Sequence, residues 1–276
     1  MVKIIDLDKL FDKYISGYVY KNVGKIKPEE IENEIPVMYG KFGDEPIAEL
    51  GGKTPNAYYK DFSAAELVSA LREHVRSGVP VSDFLVEAII AAKNGEKAVV
   101  SAIKDDPEEE FAAYLLNIYE MLGASDSLEE ILGFVLYDFS ENLKELATEI
   151  LSEKADLIKE SVLNAFDGAE DSRKDNLAEI LSHCGKDDRV LSVLISEFAK
   201  NKDKRAQYAG YLSKFGDDRA LPCLYEAIED EKIRYADFTE LRFAIESLGG
   251  EYKKERSFTG DKDYAKLKGI KKSRII

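Results

Sequence analysis

The sequence predicts an all-α protein, a right-handed superhelical solenoid of antiparallel helix pairs closed by a helical N-terminal cap. Three observations predict it. First, Leu122, Leu151, Leu181 and Leu212 fall 29, 30 and 31 residues apart, each within a similar local sequence. Self-similarity at that period marks stacked hairpins, none of which can bury its apolar face alone. Second, 45% of the 276 residues are hydrophobic and 34% charged, with only 7 prolines, a balance suited to long helices with polar faces. An all-β chain would need turn residues about every ten positions. Third, capping residues and glycines punctuate the chain at helix-length intervals.

Taken in order, Asp6–Tyr20 reads as a helix with Leu7, Leu10, Phe11, Tyr14 and Ile15 on one face. Pro28–Phe42 reads as another, bent at Pro36. Gly43-Asp44-Glu45-Pro46 and Gly51-Gly52-Lys53-Thr54-Pro55 are turns. Ser63 and Glu66 form a capping box that opens a helix to about Arg76, where Val79-Pro80 breaks it. Ser82 starts the next, ending near Gly95, and a weak repeat unit begins near Ile90. Further helices are expected over Pro107–Leu122, Ser127–Phe139 (Ser127 and Glu130 as a capping box), Glu141–Ser152, Leu157–Asp167, Glu170–Cys184 and Asp187–Lys200. Lys202–Phe215 is ended by Gly216, which supplies a positive φ. Asp217-Asp218-Arg219 then open a helix with Leu221, Leu224, Tyr225 and Ile228 inward, and a last unit ends at Leu248-Gly249.

The clearest copies are Ala178–Leu191 (A-E-I-L-S-H-C-G-K-D-D-R-V-L) and Ala209–Leu221 (A-G-Y-L-S-K-F-G-D-D-R-A-L). They share L-S, the glycines Gly185 and Gly216, an acidic pair and an arginine. The stretch Leu212–Asp230 resembles the repeat of HEAT-like proteins of the bilin-lyase type, which alternate a helix ending A-L-G-x-I-G-D with one beginning R-A-L-P-x-L. The likeness is close there, good over Leu181–Leu194, and looser over the rest of 90–250. It implies five or six HEAT-like units and an interaction scaffold, with lyase-type or other small-molecule-handling enzymes of the family as the alternative. HEAT-like nucleic-acid-binding proteins, such as alkylpurine glycosylases, are a further one. The expected organisation is a non-repeat cap over 1–62, repeats over 63–250 (clearest over 107–250), and a basic tail over 251–276.

The formal charge of −15 argues against a nucleic-acid partner, because phosphate contact needs clustered Lys and Arg. Residues 251–276 hold nine basic and four acidic residues, a net of +5, which leaves 30 basic and 50 acidic residues, −20, for the body. A basic end on an acidic body has three readings: a solvated terminus, a segment packed back on the body or its groove through Lys253, Lys254, Arg256, Lys262, Lys266 and Lys268, or a contact to an anionic partner. Cys184 and Cys223 lack metal-ligand spacing and read as reduced core thiols. Asp6, Asp8 and Asp12 are unlike a signal peptide, and no run of eighteen apolar residues predicts a membrane span. A cytoplasmic protein is expected.

No constellation points to catalysis, a metal or a cofactor. Gly52-Lys53-Thr54 lacks the upstream glycine of a P-loop, since Ile47 stands there, and Pro55 follows where a helix should run. His74 and His183 lie on unrelated helices without partners at zinc spacing. Ser182, His183 and Cys184 are adjacent on a helix and point apart. Repeat alignment puts His183 with the solvent-facing Lys214 and Cys184 with the inward Phe215. Acidic runs such as Asp105-Asp106 and Glu108-Glu109-Glu110 lie where helices begin, where the macrodipole accounts for them. Among fifteen tyrosines, Tyr208 and Tyr211, with Tyr114 and Tyr119 earlier, either fill gaps between repeats or project to the concave face as anchors. Asn117, Glu149, Asn176, Glu179, Gln207 and Lys214 share that inner ridge, so the expected binding surface is a mixed, mainly acidic groove for a protein or peptide.

Overall fold

Helices account for the regular structure of the computed structural model, which describes residues 2–22, 28–105 and 108–266. Among these, the one strand-like pairing is a lone antiparallel bridge between Ile47 and Lys53. It closes the turn in which Gly51 and Gly52 adopt φ of 70° and 83°, a conformation that glycine enters without steric cost. The Gly52-Lys53-Thr54 segment is therefore a tight turn, and Thr54 caps the short helix that follows. The chain forms two compact units, with the boundary between Glu130 and Ile131.

In the first unit, α1 (Leu7–Asn22) packs on α2 (Pro28–Gly43), with Pro36 inside the latter. The stripe expected on α1 is realised in Phe11 and Tyr14, which meet Tyr39 and Phe42 of α2. Edge and tilted ring contacts of this kind add to the gain from burial. After α3 (Pro55–Tyr58), α4 (Ala64–Ser77) begins at the expected capping box, with Ser63 and Glu66 bonded reciprocally. It ends at Gly78, φ 62°, and packs on α5 (Asp83–Ala91), α6 (Gly95–Lys104) and α7 (Glu109–Met121). The region expected as one helix from Ser82 to Gly95 is shorter, because α5 stops at Ala91 and a tight turn leads into α6. Residues 63–130 thus fall in one compact unit with the N-terminal segment. Asp106 and Pro107 lie outside the described residues.

The unit boundary falls within α8 (Leu128–Leu136). At its start Ser127 and Glu130 interact through their side chains, but Ser127 adopts φ 68° rather than the extended backbone of a capping box, and the Glu130 carboxylate also bonds Lys104 at 2.8 Å.

In the second unit, α9 (Glu141–Glu153), α11 (Asp171–Ser182), α13 (Arg205–Phe215) and α15 (Tyr235–Ser247) pack successively into one layer. The intervening α10 (Ala155–Phe166), α12 (Asp188–Lys200) and α14 (Leu221–Ile228) pack on it, each against the layer helix that follows. The repeat leucines Leu151, Leu181 and Leu212 are fully buried on α9, α11 and α13. Leu122, the fourth of the series, is half-buried at the end of α7.

The shared acidic pair and arginine have one geometry in both copies. Asp187 and Asp217 each cap a helical start, accepting from the backbone N–H of Arg189 and Arg219 at 2.9 and 3.0 Å. Each arginine closes on its own aspartate, then reaches one hairpin back, Arg189 to Glu160 at 2.6 Å and Arg219 to Asp188 at 2.8 Å. The matched glycines differ. Gly216 takes φ 74° and ends α13, whereas Gly185 is not left-handed and donates its N–H to Asp156 at 2.9 Å.

The described part of the basic tail lies back on the second unit. Tyr252 and Phe258 are buried against Phe238. Arg256 donates to the carbonyls of Ile228 and Asp230 at 2.7 and 2.9 Å, capping the end of α14, and Lys254 pairs with Glu229. Lys268 lies outside the described residues. No helix among those described is long and apolar enough to cross a membrane.

Candidate functional site

The layer helices of the second unit carry a cleft of about 440 Å³, lined by Glu145, Thr148, Glu149, Ser152, Glu153, Asn176, Glu179, His183 and Lys214. Its residues follow from the repeat. With Leu151, Leu181 and Leu212 superposed, Glu153, His183 and Lys214 occupy one position on α9, α11 and α13, and Glu149 and Glu179 occupy another. Glu145, Glu149 and Glu153 are four residues apart and so share one face of α9.

The floor is polar and buried. Asn176 donates from Nδ2 to Thr148 Oγ1 at 3.2 Å, fixing α11 against α9. Lys214 Nζ stands 2.9 Å from His183 Nε2. An ammonium can only donate, so Nε2 is the acceptor and His183 is neutral. Desolvation and the Lys214 charge both hold its pKa below the usual histidine range. Four carboxylates against one ammonium leave the lining at −3. Glu145, Glu149 and Glu153 make no ion pair among the described residues.

Of the ridge expected from sequence, the fold brings Glu149, Asn176, Glu179 and Lys214 into this cleft. Gln207 and Tyr211 adjoin it: Gln207 donates to the Tyr211 hydroxyl at 2.8 Å, which donates to Glu179 at 3.4 Å. Burial, first, raises the Tyr211 pKa. Tyr208 is not at the surface. Its ring is buried edge-on to Tyr211, and its hydroxyl donates to Asp175 at 2.8 Å, beside Lys204. It fills a gap between helices, the first of the two roles open to it. Tyr119 is buried likewise, bonded to the Asp126 carbonyl at 2.7 Å, while Tyr114 is half-buried. Asn117 is exposed on α7 of the first unit, apart from the others in the chain's division. Sequence reasoning missed Glu145, Thr148, Ser152, Glu153 and His183 as lining residues. The repeat alignment held the signal for two of them, since Glu153 and His183 align with Lys214.

The arrangement lacks the parts of a nucleophilic site. Ser182 donates to the Glu179 carbonyl at 2.6 Å, His183 faces Lys214, and Cys184 is buried, which pushes its thiol up to about 11. Cys223, expected in the core, is only half-buried: it sits on the rim of α14 and donates to the Ala220 carbonyl at 3.1 Å. Its pKa is likewise raised by burial. His74 is fully buried, its Nδ1–H donating to the Pro80 carbonyl at 2.9 Å, and it joins α4 to the following turn. Among the described residues no three His, Cys, Asp or Glu side chains converge on a common metal position.

A larger cleft of about 720 Å³ in the first unit is walled by Phe62, Leu67, Phe84 and Ala88. Two polar groups on its rim are engaged, Asn56 with Asp44 and Ser63 with Glu66. The second-unit cleft, where Glu145, Glu149 and Glu153 make no ion pair among the described residues and the lining recurs at equivalent repeat positions, is the better candidate. No protein-family model matches the chain, nor does any curated protein or solved structure match it.

Proposed function

We propose that the protein is a non-catalytic, HEAT-like repeat scaffold of the cytoplasm that binds a protein or peptide on the layer formed by α9, α11 and α13. In this reading the hairpins stack as a right-handed solenoid and that layer is its concave face. The observation that carries the reading is the cleft itself. Its lining comes from equivalent positions on three successive layer helices, which is how repeat proteins build elongated binding surfaces. The likeness of Leu212–Asp230 to bilin-lyase-type repeats supports the fold half of the proposal. The two free thiols are in keeping with a reducing compartment. An acidic lining disfavours phosphate ligands, and with them nucleic acid.

Panning a displayed random-peptide library over the immobilised full chain tests the reading. Enriched peptides should lose binding to Glu149→Lys and to Lys214→Glu, each of which inverts one wall of the cleft. If repeated rounds enrich nothing, or if every enriched peptide ignores both substitutions, the scaffold assignment to this layer fails.

A further inference from the structure

Ser152 separates this cleft from an ordinary solvated acidic surface. It lies on α9, 7% exposed, with an Oγ that has no hydrogen-bond partner among the described residues. Four other helical hydroxyls of the unit are satisfied by backbone carbonyls. Ser182, at the equivalent repeat position, donates to Glu179, while Ser192, Thr239 and Ser247 donate one turn back, to Asp188, Tyr235 and Phe243. A buried polar group without a partner costs free energy, and such groups are rare in folded chains. Ser152 sits in the lining, between Glu149 and Glu153 on α9, with Glu179 across from them on α11.

A cation rich in N–H groups can donate both to this hydroxyl and to the neighbouring carboxylates that have no ion-pair partner among the described residues. An ammonium offers three donors and a guanidinium five. The spacing adds a constraint. Glu145, Glu149 and Glu153 follow one another at about 6 Å along α9, at 1.5 Å per residue. Alternate side chains of an extended peptide point the same way and recur at roughly 6.6–6.8 Å. The two series stay in step over three contacts.

We propose that the cleft is a recognition groove for an extended basic segment of a partner protein, with Arg or Lys at alternate positions. Three successive basic heads meet Glu145, Glu149 and Glu153. The Ser152 hydroxyl accepts from the middle head, and Glu179 closes on it from α11. The inference rests on the scaffold reading and specifies the partner's chemistry.

The test is fluorescence anisotropy of three labelled hexapeptides against the full chain. They are Arg-Ser-Arg-Ser-Arg-Ser, the same composition ordered Arg-Arg-Arg-Ser-Ser-Ser, and Glu-Ser-Glu-Ser-Glu-Ser. The alternating basic peptide should bind about fivefold tighter than the clustered one, and the acidic one should not bind. Glu149→Gln should weaken it about fivefold and Glu240→Gln, on α15, should leave it unchanged. Ser152→Ala should weaken it about threefold while the free chain melts no lower, because the substitution removes an unsatisfied hydroxyl. Equal binding of the two basic peptides, or indifference to both Ser152→Ala and Glu149→Gln, overturns the groove. If the library yields peptides that depend on the cleft but carry no basic residues, the scaffold reading stands and this inference falls. A gain in affinity on removing residues 267–276, which hold Lys268, Lys271, Lys272 and Arg274, would give the groove to the chain's own terminus and overturn a foreign partner.

Discussion

Asp217 shows what one carboxylate contributes at a repeat junction. It caps a helical start and closes on Arg219, and this arrangement holds its pKa near 2, below the ordinary 3.8. A depressed carboxylate stabilises the fold above its unfolded pKa, and that contribution is lost as pH falls toward the folded value. Asp217→Ala should therefore cost about 1–2 kcal/mol at neutral pH, the worth of an N-cap. The deficit should shrink between about pH 4 and pH 2, which urea melts across that range will show. Asp187 makes the same contacts and is pushed well below the usual carboxylate range. The thiols give a second test at this scale. Cys184 is buried and raised to about 11, whereas Cys223 is half-buried at a surface cleft. Labelling of the native chain at neutral pH should modify Cys223 first and reach Cys184 only on unfolding. Fast labelling of Cys184 would revive a nucleophilic role.

Among elements, the turn between α5 and α6 makes the sharpest demand on sequence. A Cβ on Gly95 would stand 2.2 Å from the Ile89 carbonyl oxygen, so the backbone would have to move. Gly95→Ala should cost about 1–3 kcal/mol. Gly17, within α1 with nothing near its missing Cβ, is the control of opposite sign. Gly17→Ala should stabilise by about 0.5–1 kcal/mol, as alanine does in a helix interior. Thermal melts of the two variants check both signs. Helices were legible in the sequence because apolar spacing and caps act within a few residues, as Ser63 with Glu66 and Gly216 after Phe215 illustrate. At Ser127 the pattern found the partner, Glu130, and missed the left-handed backbone, which a capping-box motif does not encode. The acidic ridge was partly legible, since Glu149, Glu179 and Lys214 follow from repeat phase. Ser152 was not, because what distinguishes it from Ser182 is a bond that is not made.

At the scale of the whole molecule, periodicity predicted one run of repeats over 63–250, and the chain divides into two compact units between Glu130 and Ile131. Which apolar faces share a core depends on long-range packing, which a one-dimensional period does not encode. The basic tail was open to several readings, and through residue 266 it is a strap on the second unit. Phe258 is the buried anchor of that strap, in contact with Tyr235, Phe238 and Tyr264. Phe258→Ala should cost about 3 kcal/mol. Hydrogen exchange should locate the loss in α14 and α15, while amides of α4 in the first unit keep their protection.

The paired aspartates and arginines of the second unit carry a mechanical consequence. Within each loop the contact is short and sheltered on the carboxylate side, Asp187 and Asp217 having side chains 14% and 3% exposed. Between loops, Arg189 with Glu160 and Arg219 with Asp188 lie in open solvent, where an ion pair contributes little and weakens with salt. The links between successive hairpins therefore rest on buried side chains such as Leu181 and Leu212, and on the sheltered Lys159–Asp187 pair, rather than on these exposed arginines. Raising the ionic strength should weaken the exposed arginine pairs while the hairpins stay packed on their shared apolar side chains.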